Sequence, residues 1–231
     1  MIDGVIFDKD GTLFDFQKSW GGVAARVLDQ LARDAAHAAD LAAAMGFDRI
    51  SGRFAPDSPM IAGTSADVAA AMIPHLPDMT PEGLAAHLNS QATTARMHPA
   101  VDLRVVLQDL RDRGLRLGVG TNDTEAPARA HLAEAGITDL FDFVAGCDSG
   151  HGAKPAPGML LAFAQALGLD AGRVVMVGDS RHDLMAGRAA GMRVVGVLTG
   201  IADRAELHPL ADVVLPDIGG LAGWIDRQRP D

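Results

Sequence analysis

The segment Asp8-Lys9-Asp10-Gly11-Thr12-Leu13 follows directly on the apolar run Val5-Ile6-Phe7. Two carboxylates two residues apart therefore leave the end of an expected buried strand, where open α/β sheets keep their ligands. Carboxylates so placed repel each other and lose solvation unless a cation or strong donors neutralise them. The pattern reads as a divalent-metal site, and chemistry on phosphate is the first expectation from it.

Three later segments supply what Asp8 and Asp10 lack. Gly118-Val119-Gly120-Thr121-Asn122-Asp123 ends a second apolar run and offers a hydroxyl and turn N–H groups to an anion, with Thr121 and Asn122 as the phosphate-binding candidates. Gly152-Ala153-Lys154-Pro155 places a lysine where it can neutralise a phosphate and a nucleophilic carboxylate together. Lysine is scarce, standing only at Lys9, Lys18 and Lys154, which singles out one beside a motif. Val177-Gly178-Asp179-Ser180-Arg181-His182-Asp183 adds two carboxylates four residues apart, so that Asp183 lies one helical turn beyond Asp179 and can support it. Asp8, Asp10 and Asp179 can then share one Mg2+, because hard oxygen ligands without a His or Cys cluster favour Mg2+ over Zn2+. A carboxylate nucleophile splits phosphoryl transfer into formation and hydrolysis of an acyl phosphate. Asp8 takes that role, and Asp10 is the acid that protonates the leaving alcohol and the base that later activates water.

The elements that must hold these residues are legible as alternating patterns. Strand-like runs at Ile2–Phe7, Leu115–Gly120, Phe143–Gly146, Val174–Val177, Val194–Leu198 and Val213–Leu215, mostly with helical patterns between them, predict an α/β fold with a parallel sheet. Between the first and second runs lies an alanine-rich region of helical periodicity. Its length is improbable for a structureless loop, so it reads as an inserted helical cap. The expected division is a core of residues 1–14 and 98–231 with a cap of residues 15–97. Within the cap, Gly46–Gly63 is expected to be a loop. Arg53 there is the residue best suited to grip a substrate carboxylate, although an ordinary surface arginine is the weightier reading. Lys9 reads as a solvated or locally paired side chain, Cys147 as a small buried hydrophobe, and the apolar cap positions as that segment's own core and hinge packing.

Taken in order, Asp8-x-Asp10-Gly11-Thr12, Thr121 after a hydrophobic strand, Lys154-Pro155 and Gly178-Asp179-Ser180-x-x-Asp183 resemble the haloacid dehalogenase superfamily. Within it they resemble the phosphoglycolate-phosphatase-like branch with a helical cap. The resemblance frames residues 2 to about 217. It implies a Rossmann-like core, an aspartyl-phosphate on Asp8, and Mg2+ held by the carboxylates of Asp8 and Asp179 and the main-chain carbonyl of Asp10. It also implies phosphate binding by Thr121 and Lys154, and metal support from Asp183. Lys9 and Phe16 depart from the usual pattern, in which those places carry an apolar residue and a serine.

The expected activity is Mg2+-dependent hydrolysis of a small phosphorylated metabolite, with phosphoglycolate the candidate by resemblance alone. A phosphosugar mutase of the same superfamily and a non-catalytic phosphoacceptor or binding protein are the alternatives. The formal net charge of -10 argues against a nucleic-acid partner. No apolar stretch is long enough to span a bilayer, Met1 runs almost at once into the first strand, and the single cysteine fits a reducing compartment. A cytoplasmic monomer or homodimer is expected.

Overall fold

The computed structural model describes residues 1–228. The chain runs β1 (Gly4–Phe7), α1 (Phe16–Leu31), α2 (Ala35–Ala44), β2 (Phe47–Asp48), β3 (Arg53–Phe54), α3 (Pro59–Ala62), α4 (Ser65–Met72) and α5 (Pro81–Thr93). It continues through α6 (Leu103–Asp112), β4 (Arg116–Gly120), α7 (Glu125–Glu134), β5 (Phe143–Ala145), α8 (Gly158–Ala166) and β6 (Val174–Gly178). The last elements are α9 (Arg181–Ala189), β7 (Arg193–Val197), α10 (Arg204–Leu207), β8 (Val213–Leu215) and α11 (Leu221–Asp226).

Six strands form one sheet in the order β5-β4-β1-β6-β7-β8, and every pairing in it is parallel. Strand periodicity sorts the side chains of β1 to two faces. Val5 and Phe7 join a cluster with Leu107 and Leu110 of α6, Leu132 of α7 and Trp224 of α11. Ile6 faces the other way, onto Met159 and Phe163 of α8. Gly118 of β4 is needed for that second layer: a Cβ there would lie 2.6 Å from the Phe163 ring. After β1 the sheet grows through β4 and β5 on one side and through β6, β7 and β8 on the other. The direction of growth reverses beside β1 and β6, and a crevice opens at the carboxyl ends of strands at such a point. Asp8 and Asp179 stand there, each one residue beyond its strand.

The segment between β1 and α6 is helical, as its periodicity predicts. It is joined to the sheet by one continuous hydrophobic cluster that includes Val23, Leu28, Leu84, Phe7 and Val119. The chain leaves and re-enters through paired backbone: Asp15 N–H donates to the His98 carbonyl at 2.8 Å and Ala100 N–H to that of Leu13 at 2.9 Å. The stretch expected to be a loop has structure of its own. Phe47 pairs with Phe54, and Asp48 with Arg53, in an antiparallel hairpin, with the two rings 4.9 Å apart and Phe54 seated edge-on against Phe16 at 5.2 Å. Ser58 then accepts from Met60 N–H and starts α3 with Pro59 in its first turn. The aromatic pair and the Ser-Pro helix start are the local signals that make this stretch more than a loop.

Candidate active site

Short turns at the strand ends bring together residues far apart in sequence. Lys154 enters from the loop before α8, buried, with its ammonium 2.5 Å from Asp8 Oδ1 and 2.6 Å from Asp183 Oδ1. Burial alone would favour loss of its proton, but the carboxylates of Asp183 and Asp8 more than offset this and raise its pKa. Asn122 fixes the lysine's backbone: its Oδ1 accepts from Lys154 N–H at 2.8 Å and its Nδ2 donates to the Lys154 carbonyl at 2.9 Å. The same Nδ2 donates to the Ala62 carbonyl at 2.8 Å, so the Asn122 side chain is engaged in positioning. Thr121 is buried at the end of β4, and its Oγ1 accepts from Asp123 N–H at 3.1 Å.

Asp183 sits in the first turn of α9. Its Oδ2 accepts from the backbone N–H and the hydroxyl of Ser180, a reciprocal cap that satisfies the helix start and leaves Oδ1 for Lys154. Capping and site-building are thus done by one carboxylate.

Asp8, Asp179 and Asp183 each offer an oxygen within 4.8 Å of the others, and all three are buried. Burial pushes the Asp8 carboxyl up to about 7, with Lys154 opposing and the nearby acids reinforcing the rise. Asp179 is raised well above the ordinary value by burial and by Asp183 and Asp8. Thr12 donates to Asp179 Oδ1 at 3.3 Å, whereas buried Asp179 Oδ2 has no hydrogen-bond partner among the described residues. Gly11, at φ 87°, and Gly200 wall this carboxylate so closely that a Cβ on either would collide with it. Thr199 of the loop after β7 donates to the Gly11 carbonyl at 2.6 Å and holds the two walls together. A buried all-oxygen cluster with one unanswered acceptor fits a hard divalent cation.

Asp10 points away from this cluster. Its Oδ1 accepts from Trp20 Nε1 of α1 at 2.9 Å, and its Oδ2 lies 2.6 Å from Lys9 Nζ. Lys9 is fully buried, 3.1 Å from Asp123 and 3.0 Å from His131 Nδ1, beneath the Trp20 ring. His131 Nε2 reaches the Ala92 carbonyl at the end of α5 at 2.8 Å. Burial pulls the pKa of Lys9 down, and Asp10 and Asp123 reverse that so that it ends above the usual value. The alternative of an exposed Lys9 is therefore excluded and the locally paired one holds. Trp20, Asp123 and His131 surround Lys9, and the motifs did not single them out; the scarcity of lysine was the signal pointing toward them.

Arg53 is not among the residues that line the cleft above Asp8. In a two-residue strand neighbouring side chains alternate, so the burial of Phe54 turns Arg53 to solvent. Cys147 is half-buried, and burial pushes its thiol up to about 11.

Residues 5–197 match the family model described as haloacid dehalogenase-like hydrolase. The chain belongs to this family. Among curated relatives of this haloacid dehalogenase-like chain, a phosphoglycolate phosphatase from Neisseria meningitidis is 37% identical over 137 residues, 58% of this chain and 57% of that one. Another from Rhodospirillum rubrum is 38% identical over 125 residues, 54% of this chain and 52% of that one. The chain thus spans about half the length of the curated relatives it matches. A crystal structure from Bacteroides fragilis, named for the same haloacid dehalogenase-like family, superposes with a TM-score of 0.74 at 20% identity, covering 96% of this chain and all (100%) of that one. The family fold expected from the motifs is the fold observed.

Proposed function

We propose that this chain is a Mg2+-dependent phosphomonoester hydrolase working through an aspartyl-phosphate. The observation that carries the reading is the buried Asp8 carboxylate, held at 2.5 Å by Lys154 beside Asp179 and Asp183 and lining a cleft shared with Thr121. Asp8, Asp179 and the main-chain carbonyl of Asp10 would hold the cation, with Asp183 in support. Bound there, it would neutralise the clustered anions and stabilise charge on the transferring phosphoryl group.

The protein's own groups do the rest. Lys154 aligns Asp8 for attack on phosphorus and answers phosphoryl charge, while Thr121 supplies a hydroxyl from the neighbouring strand end. Asp8 forms the P–O bond as the ester oxygen leaves with a proton from Asp10. Asp10 then takes a proton from the water that cleaves the acyl phosphate, which returns Asp8 and releases phosphate. Both Asp10 oxygens accept from Trp20 and Lys9 in the present arrangement, so one contact is exchanged for substrate during the cycle. The helical segment 15–97 acts as the cap that closes the cleft and excludes bulk water. The relatives' names place phosphoglycolate among the substrates to test.

The test is phosphate release from p-nitrophenyl phosphate and a metabolite panel, with and without Mg2+. Release is expected to require the metal and to vanish in Asp8→Asn with the fold retained by circular dichroism. Undiminished turnover in Asp8→Asn would remove the assignment.

A further inference from the structure

A cleft lined by the rim of the sheet and by the helical segment opens above Asp8. Its floor and its roof differ in kind. The floor holds Asp8, Asp10, Asp123 and Asp183, together with Lys154. The roof comes from the helical segment and is apolar: Phe16, Trp20, Val23 and Val27 of α1, Met60 and Ile61 of α3, with Val68 and Leu88 beyond. Several of these also pack within the segment, as their periodicity predicts, and each lines the cleft as well.

No charged side chain belongs to that wall among the described residues. Lys154, the one Lys or Arg lining the cleft among the described residues, is already shared between Asp8 and Asp183. The α4 N-terminus borders the cleft at Thr64 and Ser65, but the Asp67 carboxylate already occupies it, accepting from Thr64 N–H at 2.8 Å and from the Thr64 hydroxyl at 2.7 Å. Asn89 adds a neutral amide. His182 lies on the floor side, exposed in the first turn of α9. Arg53 faces solvent outside the cleft. One anion, the phosphate, thus meets a built site, whereas a second anion on the leaving group would be desolvated against aliphatic and aromatic carbon with four acids nearby.

We propose that the cleft selects phosphomonoesters of uncharged, largely apolar alcohols and discriminates against carboxylate-bearing ones such as phosphoglycolate. The inference rests on the hydrolase reading and names the substrate class of that same site. An apolar wall rewards each buried methylene, and a site without a partner for a buried charge rejects the ligand that carries one.

The full-length chain with Mg2+ would be assayed for phosphate release from phosphoglycolate, benzyl phosphate and the ethyl, butyl and hexyl phosphates. p-Nitrophenyl phosphate, with Asp8→Asn as control, serves as the separate benchmark of hydrolysis. From ethyl to hexyl phosphate kcat/KM is expected to rise roughly threefold per methylene, leaving phosphoglycolate at least about tenfold below butyl phosphate. Met60→Arg, which sets a cation in the wall, should raise phosphoglycolate relative to hexyl phosphate. If p-nitrophenyl phosphate is cleaved through Asp8 yet phosphoglycolate outpaces the alkyl series, or the series is flat, the specificity proposal falls and the hydrolase reading stands. If no monoester is cleaved, both fall. Calorimetric binding to Asp8→Asn is a check that needs no turnover: phosphoglycolate binding more tightly than hexyl phosphate would overturn the proposal.

Discussion

Lys9 shows how much a single side chain can carry. Its ammonium is the common partner of Asp10 and Asp123, and it is fully buried. Removing one member of a buried ionic set leaves the others desolvated without compensation. Lys9→Met, which keeps most of the volume, is expected to destabilise the protein by about 3 kcal/mol, read as a lower urea midpoint with an unchanged slope. Adding Asp123→Asn should recover part of the loss, since it removes one of the stranded charges. An unchanged midpoint for Lys9→Met would mean that the ammonium contributes no net stability. The motif order marked Asp8, Asp10, Lys154, Asp179 and Asp183 as candidates because their types and spacings are unusual after apolar runs. The residues around Lys9 were not legible in that way: Trp20, Asp123 and His131 are ordinary in their local sequence and acquire meaning only by meeting.

The two outer strands of the sheet, β5 and β8, have three residues each and are attached by the same device. Asp142, just before β5, donates its N–H to the Leu117 carbonyl and accepts the Leu117 N–H on Oδ2, with Arg111 and Arg116 on its carboxylate. Asp212, just before β8, repeats this with Val194 and Arg188. Burial would raise the pKa of Asp142, but the Leu117 N–H and the Arg111 and Arg116 guanidiniums outweigh it and hold the carboxyl below its usual range. A carboxyl depressed in the folded state adds stability above its unfolded pKa, near 3.8, and that stability is lost as pH falls through the lower folded value. Asp142→Asn is therefore expected to cost about 1–2 kcal/mol at pH 7, and the gap from wild type should close as unfolding is measured at pH values below the normal carboxylate range. A gap that persists unchanged in acid would assign the effect to geometry instead of charge. These strands were readable from their apolar runs, but the Asp-backbone exchange that docks them was not, because it depends on parallel register.

Across the molecule, the helical segment is tied to the sheet through the site itself. Trp20 reaches Asp10, the Ala62 carbonyl receives Asn122, and the Ala92 carbonyl meets His131. Any ligand that reorders Asp10 or the Lys154 loop must therefore be felt in α1, α3 and α5. With Mg2+ and orthovanadate as a phosphate mimic, hydrogen exchange is expected to slow in α1, in the C-terminal turn of α5 and at Gly63–Ser65, with little change in the outward hairpin of β2 and β3. Protection confined to the loops after β1, β4 and β6 would show that the segment does not respond to occupancy.

Short-range chemistry fixes what a linear chain can announce. Apolar runs of strand length, turn glycines and carboxylates directly after them specify a parallel α/β sheet and the rim where its ligands belong, because those signals act within a few residues. The α9 start shows the same economy, since Ser180 and Asp183 form their cap across one turn wherever the helix is placed. Decisions resting on long-range geometry came only with folding. The seating of Phe54 on Phe16 that turns Arg53 outward, the meeting of Lys9 with Asp123 and His131, and the assembly of a neutral wall over an acidic floor each depend on packing between distant elements. The charge of that wall is the sum of side chains from α1, α3, α4 and α5, and no single stretch of sequence contains it.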